Sequence, residues 1–345
     1  LEVKNIIMDM QAKHQIESLI LDLRGNGGGL IDEAVKIMGY FVSKGTEIVS
    51  TKGKTPQASH TYRTTLDPIF PNMKLAVLVN NASASASEIL AGAVQDLDRG
   101  IVIGERTFGK GLVQNIRPVS YGGHVKVTTA KYYIPSGRCI QAIDYAQRKE
   151  DGILRRIPDS LSQTFKTKDG RTVLDGGGII PDSVTQDEHK INIAYYIHAK
   201  NLYFSFANRY AAQHASIPQP AEFKLTDQDF DDFVAFIKEK KFTYTPQTKE
   251  YFDELYNFSK LEGLDKEAEA EFEALRSKLI PDLDVKLHEN KDEILNLLGF
   301  EIVKRYYYQK GAIEYSLIDD EDLKVAVELL NDQAKFLALL QKGIE

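Results

Sequence analysis

Several common kinds of site are excluded by residues that the sequence contains only rarely. Cys139 is the single cysteine among 345 residues, so an internal disulfide framework and a cysteine-based zinc site are both ruled out. No apolar run approaches the roughly 18–20 residues that a membrane-spanning helix needs. The chain carries 43 Lys+Arg against 50 Asp+Glu, a net charge of −7, and lacks the basic excess typical of nucleic-acid-binding proteins. We therefore expect no nucleic-acid partner.

Charge and hydrophobic periodicity both change near residue 200. Residues 1–200 carry 25 Lys+Arg and 21 Asp+Glu, whereas residues 201–345 carry 18 and 29, so the net charges are +4 and −11. The first part alternates apolar runs with helical patterns, which indicates a layered α/β core. In the second part apolar residues recur at helical spacing, and Thr226 with Asp229 resembles a capping box. We predict an α/β domain over residues 1–200 and an all-helical domain over residues 201–345.

The predicted strands and helices follow from apolar runs and their period. Strands are predicted at residues 19–23, 46–51, 74–79, 101–104, 112–119 and 124–133. Helices are predicted at residues 1–15, 31–42 and 89–97, and in the second part around residues 230–237, 252–259, 268–279, 294–308 and 323–340. Because residues 75–79 form a continuous apolar run, we expect both faces of the strand at 74–79 to be covered.

A serine-rich turn follows that apolar strand. It reads Ser83-Ala-Ser85-Ala-Ser87 and is followed by a helical pattern. A hydroxyl placed just before a helix lies beside the unpaired N–H groups of the first turn, which favour an anion. Such N–H groups can form an oxyanion hole. The pattern describes a serine- and alanine-rich helix start equally well, and its three serines are chemically equivalent.

Lys110 stands between two glycines in the segment 104–114. A lysine acts as a general base only in its neutral form, which burial in an apolar, dry pocket favours. Neighbouring apolar side chains can supply that environment, and Gln114, four residues further along a predicted strand, can hold the amine in line. The alternative is a phosphate-binding or surface lysine, although the spacing of a P-loop is absent.

A third segment, Asp22-Leu-Arg-Gly-Asn-Gly-Gly-Gly29, follows the first predicted strand of the chain. Glycines after a strand permit positive φ angles and can point an amide N–H at a ligand. The obvious competitor is a dinucleotide-binding loop. It is excluded because these glycines do not fit G-x-G-x-x-G and no acidic residue ends a second strand at the required distance.

Taken together, the three segments resemble those of the C-terminal processing peptidases, also called tail-specific proteases. In that family Asp-x-Arg-x-Asn-x-Gly-Gly, Ser-Ala-Ser-Ala-Ser-Glu-Ile and Thr-Phe-Gly-Lys-Gly-x-Val-Gln segments occur in this order, and here they stand at residues 22–29, 83–89 and 107–114. The resemblance extends over about residues 15–190. It implies a crotonase/Clp-like layered α/β core, here followed by an all-α region. Further matches to the family pattern are Gln95-Asp96, Gly104-Glu105, Tyr133, Pro135–Arg138, Ile140-Gln141 and Gly178–Asp182.

The resemblance also implies roles for single residues. The middle serine of the triplet, Ser85, would be the nucleophile, Lys110 the general base and Gln114 the residue that orients it. The N–H groups of Ala86 and Gly28 would bind the oxyanion. Ser83 and Ser87 would be structural, and no metal or cofactor would be required.

The function that the resemblance implies is a serine endopeptidase with a Ser–Lys dyad that cleaves proteins near their C-termini. Its partners would be protein or peptide substrates with unstructured C-termini, and a homo-oligomer and an adaptor protein are further partners that it allows. Similar helical extensions occur in Bacteroidetes members, which suggests a periplasmic or cell-envelope location. Members usually carry a PDZ-type domain before the Asp-x-Arg segment, so we expect the chain to be N-terminally incomplete.

Two other interpretations remain open at this point. One is a non-enzymatic peptide-binding or scaffolding fragment that retains the site. The other is acyl-CoA chemistry, because the crotonase fold is related to the family's core, although no CoA-binding basic cluster is evident. Penicillin-binding enzymes are excluded because the chain contains no Ser-x-x-Lys.

Overall fold

The computed structural model of the protein describes residues 2–144, 155–185, 192–280 and 282–341. The remaining residues lie outside this description. They include the first residue of the helix predicted at 1–15 and parts of both predicted domains. The chain divides into two compact units. Unit 1 comprises Leu1–Asp187 together with Glu321–Glu345, and unit 2 comprises Glu188–Asp320. In the described ranges, no helix combines the length and the apolar character needed to cross a membrane.

Unit 1 contains a parallel and an antiparallel sheet of four strands each. The parallel sheet has, in spatial order, β1 (Ser18–Asp22), β4 (Lys74–Val79), β5 (Ile101–Gly104) and β12 (Ser183–Val184). The antiparallel sheet has β3 (His60–Arg63), β2 (Glu47–Gly53), β7 (His124–Tyr133) and β6 (Leu112–Pro118). Two short antiparallel ladders pair β8 (Ile143–Asp144) with β9 (Arg155–Arg156), and β10 (Thr164–Lys166) with β11 (Thr172–Leu174).

The helices are distributed over both units. Those of unit 1 are α1 (Glu2–His14), α2 (Ile31–Met38), α3 (Ala86–Asp96), α11 (Glu321–Asn331) and α12 (Gln333–Gln341). Those of unit 2 are α4 (Ile193–Ala199), α5 (Leu202–Gln213), α6 (Asp227–Glu239), α7 (Gln247–Glu262), α8 (Glu269–Leu279), α9 (Leu283–Glu289) and α10 (Lys291–Ser316). Helix α10 is kinked at Tyr308, whose φ of 56° and ψ of −157° are not helical.

Strand β4 is the centre of unit 1 because apolar side chains cover both of its faces. Successive side chains of a strand point to opposite faces. Leu75, Val77 and Val79 join the buried cluster that contains α2 and α3. Ala76 and Leu78 join a second cluster with residues of β5, α11 and α12. The prediction that this strand is covered on both faces is confirmed.

The predicted division at residue 200 does not coincide with the two units. Residues 321–341 were assigned to the helical domain, but α11 and α12 pack on the parallel sheet through Ala326, Leu330 and Phe336. The Lys74 ammonium also donates to the Leu330 carbonyl over 3.0 Å. Helical spacing shows that a segment forms a helix with an apolar face, but it does not show which layer that face covers.

The interior of unit 2 combines aliphatic side chains with a group of packed aromatic rings. Tyr203, Phe206 and Phe233 lie in one buried cluster, in which the Tyr203 and Phe233 rings stack with centroids 5.4 Å apart. The predicted capping box at the start of α6 is confirmed, because the Thr226 N–H donates to Asp229 Oδ2 (2.7 Å) and the Asp229 N–H to Thr226 Oγ1 (3.2 Å). The predicted fold class, an α/β core followed by helices, is confirmed.

Several elements depart from the predictions. Strands β3 and β8 to β12 and helices α4, α5 and α9 were not predicted. The helix predicted around residues 323–340 is two helices, α11 and α12, and the helix predicted around residues 294–308 extends over the whole of α10. The side chains of β3 are exposed or half-buried, so its sequence shows no apolar period.

The parallel sheet brings the three sequence segments to one edge. Strands β1, β4 and β5 are neighbours and run in the same direction, so their carboxyl ends lie together. The segments 23–30, 80–85 and 105–111 follow these three ends. In open α/β sheets this edge is where ligands bind. The candidate site is therefore expected at this edge.

Candidate active site

Ser85 forms the sharp turn between β4 and α3. Its φ is 58° and its ψ is −118°, a conformation that costs a residue other than glycine about 1–3 kcal/mol. Strained turns between a strand and a helix are known to expose nucleophilic serines. Backbone strain that the surrounding structure maintains therefore marks Ser85 as a candidate functional residue.

The three serines of this turn have different environments. Ser83 is buried, and its hydroxyl donates to the Leu23 carbonyl (2.7 Å) and accepts from the Asn80 N–H (3.0 Å). Ser87 is buried in the first turn of α3. Ser85 is the one of the three that is partly exposed. The structure thus separates residues that composition left equivalent.

A buried carboxylate, Glu88, joins the Ser85 turn to the lysine segment. Glu88 Oε2 accepts from the backbone N–H groups of Ser85 (2.9 Å) and Lys110 (2.8 Å). Glu88 Oε1 accepts from the Gly109 N–H (2.7 Å) and the Thr107 hydroxyl (2.6 Å). One side chain therefore fixes the backbone of both segments at the same point.

The pKa of Glu88 is raised above its ordinary value of 4.5. Burial is the main cause, because loss of solvent disfavours the charged carboxylate. The hydrogen bonds from Thr107 and from the backbone of Lys110, Gly109 and Ser85 oppose this effect. Four donors thus hold a carboxylate in a place where its charge is otherwise costly.

Tyr132 of β7 joins the same two segments through their carbonyl groups. Its hydroxyl donates to the Lys110 carbonyl and lies 3.3 Å from the Ser85 carbonyl. The side chain is 1% exposed, and burial raises the pKa of its phenol well above 10, so the hydroxyl stays protonated and able to donate. Glu88 and Tyr132 together bind both the N–H and the C=O groups of Ser85 and Lys110.

Lys110 is half-buried, and close packing explains the glycines that flank it. Gly109 has a φ of +85°, and a Cβ there would lie 2.2 Å from the Ala142 Cβ. A Cβ on Gly111 would lie 2.7 Å from the backbone nitrogen of Gln141. The backbone of Lys110 therefore has one fixed path against residues 141–142, and only its side chain is free to change conformation.

The structure does not join every residue that the sequence analysis assigned to the site. Among the described residues, no hydrogen bond links Lys110 Nζ to the Ser85 hydroxyl or to Gln114. Gln114 lies exposed on the edge strand β6, just after a register shift at Val113. The backbones of Ser85 and Lys110 are brought together, whereas no hydrogen bond joins the side chains of Lys110 and Gln114 in the described ranges.

The two predicted oxyanion donors differ in their availability. In the part of the chain that the structure describes, the Ala86 N–H at the start of α3 has no hydrogen-bond partner. The Gly28 N–H donates to Asn26 Oδ1 over 2.9 Å. Gly28 nevertheless packs directly on the Ser85 turn, because a Cβ there would lie 2.5 Å from the Ala84 carbonyl and 2.7 Å from the Ala86 nitrogen. Gly28 is therefore adjacent to the site, but its amide is engaged.

Some functional residues were missed by the sequence analysis. Glu88 had a signal, because Ser85-x-x-Glu88 has the spacing of a capping box at the start of a predicted helix. Asn26 stood in the Asp-x-Arg-x-Asn segment but was given no role there. Tyr132 had no signal, since neither its type nor its spacing distinguishes it from ordinary strand residues. Only the fold brings β7 beside the Ser85 turn.

Other residues of the family pattern hold buried ion pairs. The Arg138 guanidinium is fully buried and donates to Gln95 Oε1 (2.7 Å) and Asp96 Oδ1 (2.8 Å). Asp182 accepts from the Arg171 guanidinium (2.6 Å). These residues stabilise unit 1, which carries the site. Within the described ranges, no group of three or more His, Cys, Asp or Glu side chains could hold a metal ion.

Comparisons with known proteins match two separate ranges of the chain. The family model "Peptidase family S41" matches residues 2–147, and "Probable PDZ-protease, C-terminal helical domain" matches residues 193–330. A "Carboxy-terminal-processing protease" of Bartonella bacilliformis is 43% identical over 145 residues, which cover 41% of this chain and 33% of the relative. A "Probable CtpA-like serine protease" of Staphylococcus epidermidis is 44% identical over 140 residues, 40% of this chain and 28% of the relative.

One solved structure is similar over a comparable share. The photosystem II D1 C-terminal processing protease has 39% sequence identity and a TM-score of 0.36. The matched part covers 40% of this chain and 35% of that protein's chain. The chain thus spans about a third of the length of the relatives that it matches.

Proposed function

We propose that the chain is a serine endopeptidase that cleaves proteins near their C-termini with a Ser85–Lys110 dyad, since residues 2–147 match the family model "Peptidase family S41". One observation carries the proposal. The strained Ser85 turn and the Lys110 segment are bound to each other through Glu88 and Tyr132, at the carboxyl ends of β4 and β5. This arrangement is rigid in the backbone and leaves one lysine side chain free to act.

The proposed reaction begins with rotation of the Lys110 side chain toward Ser85. The neutral amine removes the proton of the Ser85 hydroxyl as Oγ attacks the scissile carbonyl carbon, and an acyl-enzyme forms through a tetrahedral intermediate. The Lys110 ammonium then protonates the leaving amine. In the second half the neutral amine activates a water molecule, which hydrolyses the ester and restores Ser85.

The oxyanion would be stabilised at the start of α3. The Ala86 N–H is free, and the positive end of the helix dipole lies at the same place. Gly28 would donate a second hydrogen bond after its N–H leaves Asn26 Oδ1. We propose that Gln114 orients Lys110 when a substrate is bound.

The substrate class rests on the relatives. Two of them are named as carboxy-terminal-processing enzymes, which favours protein or peptide substrates with unstructured C-termini. A homo-oligomer and an adaptor protein remain proposals for partners, and a periplasmic or cell-envelope location remains a proposal for the compartment.

The experiment that tests the function uses a peptide with a flexible C-terminal tail. Ser85→Ala should abolish its cleavage, because no other hydroxyl replaces the attacking Oγ, whereas the matched control Ser87→Ala should cleave at the wild-type rate. Mass spectrometry of the products should place the cut near the C-terminus. Equal cleavage by Ser85→Ala and wild type would overturn the assignment, and binding without cleavage by the wild type would favour a peptide-binding fragment.

A further inference from the structure

The loop that carries Gly28 is held by a residue far away in the sequence. Asp322 lies in the first turn of α11 and is 5% exposed. Its Oδ2 accepts from Arg24 Nη1 over 2.9 Å, and its Oδ1 accepts from the Thr185 hydroxyl. Both carboxylate oxygens are therefore engaged, and one of them binds the loop that follows β1.

Arg24 is bound on its opposite edge as well. Its Nε and Nη2 donate to the two oxygens of Asp22 over 3.1 and 2.7 Å. The Asp22 side chain is 44% exposed, whereas that of Asp322 is 7% exposed. Solvent screens an ion pair less where it is buried, so the Arg24–Asp322 contact is the less screened of the two.

A short series of hydrogen bonds connects Arg24 to the Ser85 turn. The next residue, Gly25, donates its N–H to Asn80 Oδ1 over 2.9 Å. The Asn26 carbonyl accepts from the Ala84 N–H over 3.0 Å. Gly28 follows two residues later and packs against the backbone of Ala84 and Ala86. A displacement of Arg24 is therefore transmitted to Gly28 and to the side of the oxyanion site that it forms.

From these contacts we propose that Asp322 is a positioning residue of the active site, which acts through Arg24 to hold the 23–28 loop against the Ser85 turn. The inference rests on the proposed protease function. It extends that function to a residue outside the three sequence segments and to a helix next to the C-terminus. Asp322 touches no reacting atom, and its effect is on geometry alone.

Asp322→Asn tests the proposal, with Glu321→Gln as its matched control. Both changes remove one negative charge from the first turn of α11, but Glu321 is exposed. We expect Asp322→Asn to lower kcat about 10- to 100-fold with little change in KM, since misplacement of catalytic groups by about 1 Å costs rates of this order. Glu321→Gln should match wild type, and Asp322→Glu, which keeps the charge, should recover part of the loss. Rates are expressed per Ser85 site that reacts with a serine-directed phosphonate.

Hydrogen exchange supplies a readout that does not depend on activity. Amides of residues 23–29 should exchange faster in Asp322→Asn than in wild type or Glu321→Gln, while amides of β4 should not change. Unchanged exchange in this loop would overturn the proposal, as would a wild-type kcat in Asp322→Asn. If the wild-type chain does not cleave any substrate, the proposed function fails, and the exchange result still decides whether Asp322 holds the loop.

Discussion

Unit 1 and unit 2 stabilise their interiors in different ways. In unit 1 the side chains of Glu88, Asp96 and Arg138 are at most 1% exposed and are bound by other polar groups. In unit 2 the core consists of aliphatic and aromatic side chains, and among its described residues Ser259 is the one buried side chain of the polar or charged class. Ion pairs of unit 2 such as Arg209–Glu239 lie at the surface.

The difference teaches where directed bonds are needed. Burying a charge costs free energy unless hydrogen bonds compensate for it. A helical unit can fold on apolar packing alone, because contacts between apolar side chains do not depend on the direction of particular N–H groups. A site that must hold two loops in fixed register needs groups such as Glu88, which bind particular N–H atoms.

The largest effect on stability should come from removal of a buried ring in the core of unit 2. Phe233→Ala removes a fully buried ring that contacts Tyr203 and Phe206, and it should lower the free energy of unfolding of unit 2 by about 3–5 kcal/mol. Phe258→Ala, whose ring is 63% exposed, is the matched control and should have little effect. Chemical denaturation followed by circular dichroism measures both. Equal effects of the two variants would contradict the packing account.

Glu88→Gln should give the next largest loss of stability, and it should also lower the cleavage rate. An amide nitrogen in place of one carboxylate oxygen leaves at least one buried backbone N–H without an acceptor, which costs about 2–3 kcal/mol. Cleavage should fall below about 1% of the wild-type rate because the Ser85 and Lys110 segments lose their common anchor. Glu33→Gln, on the exposed side of α2, is the control and should alter neither. Full activity of Glu88→Gln would refute the role of this carboxylate.

The raised pKa of Glu88 gives this prediction a pH dependence. The folded state binds the proton more tightly than the unfolded state, so the stability contributed by Glu88 is fully present below pH 4.5 and is lost as the pH rises through the raised pKa. Activity should change in the opposite direction, because the ionised carboxylate accepts all four hydrogen bonds. Unfolding of wild type and Glu88→Gln, compared from pH 4.5 upward, should show wild type losing stability relative to the variant. A difference that stays constant with pH would contradict the assignment.

Motifs and spacing in the sequence singled out the segments of Ser85 and Lys110, whose backbones the structure brings together. The sequence could not predict how the two are connected, because Glu88 acts through backbone N–H groups and Tyr132 comes from a different sheet. The parallel strands β4 and β5 were predicted within their bounds since their runs are short and strongly apolar. The contact of Asp322 could not be predicted, because nothing in the local sequence of α11 indicates that its first turn meets Arg24.

The smallest effect concerns the backbone strain at Ser85. Glycine adopts a φ of 58° and a ψ of −118° without the penalty that a Cβ incurs, although it loses more entropy on folding. Ser85→Gly should therefore be more stable than Ser85→Ala by about 1 kcal/mol, with both inactive. Thermal denaturation of the two variants measures the difference. At Ser87, which lies within α3, the same pair should show the reverse order, since glycine destabilises a helix. Equal stability of the two Ser85 variants would mean that the turn stores no strain.

The most direct test of the account is to map the residue that a serine-directed phosphonate modifies in the full chain. The account predicts one modification, on Ser85, that is absent in Ser85→Ala and much slower in Lys110→Met, which keeps the length of the side chain but has no amine. Modification of Ser83 or Ser87, or a rate that does not depend on Lys110, would contradict the Ser85–Lys110 dyad.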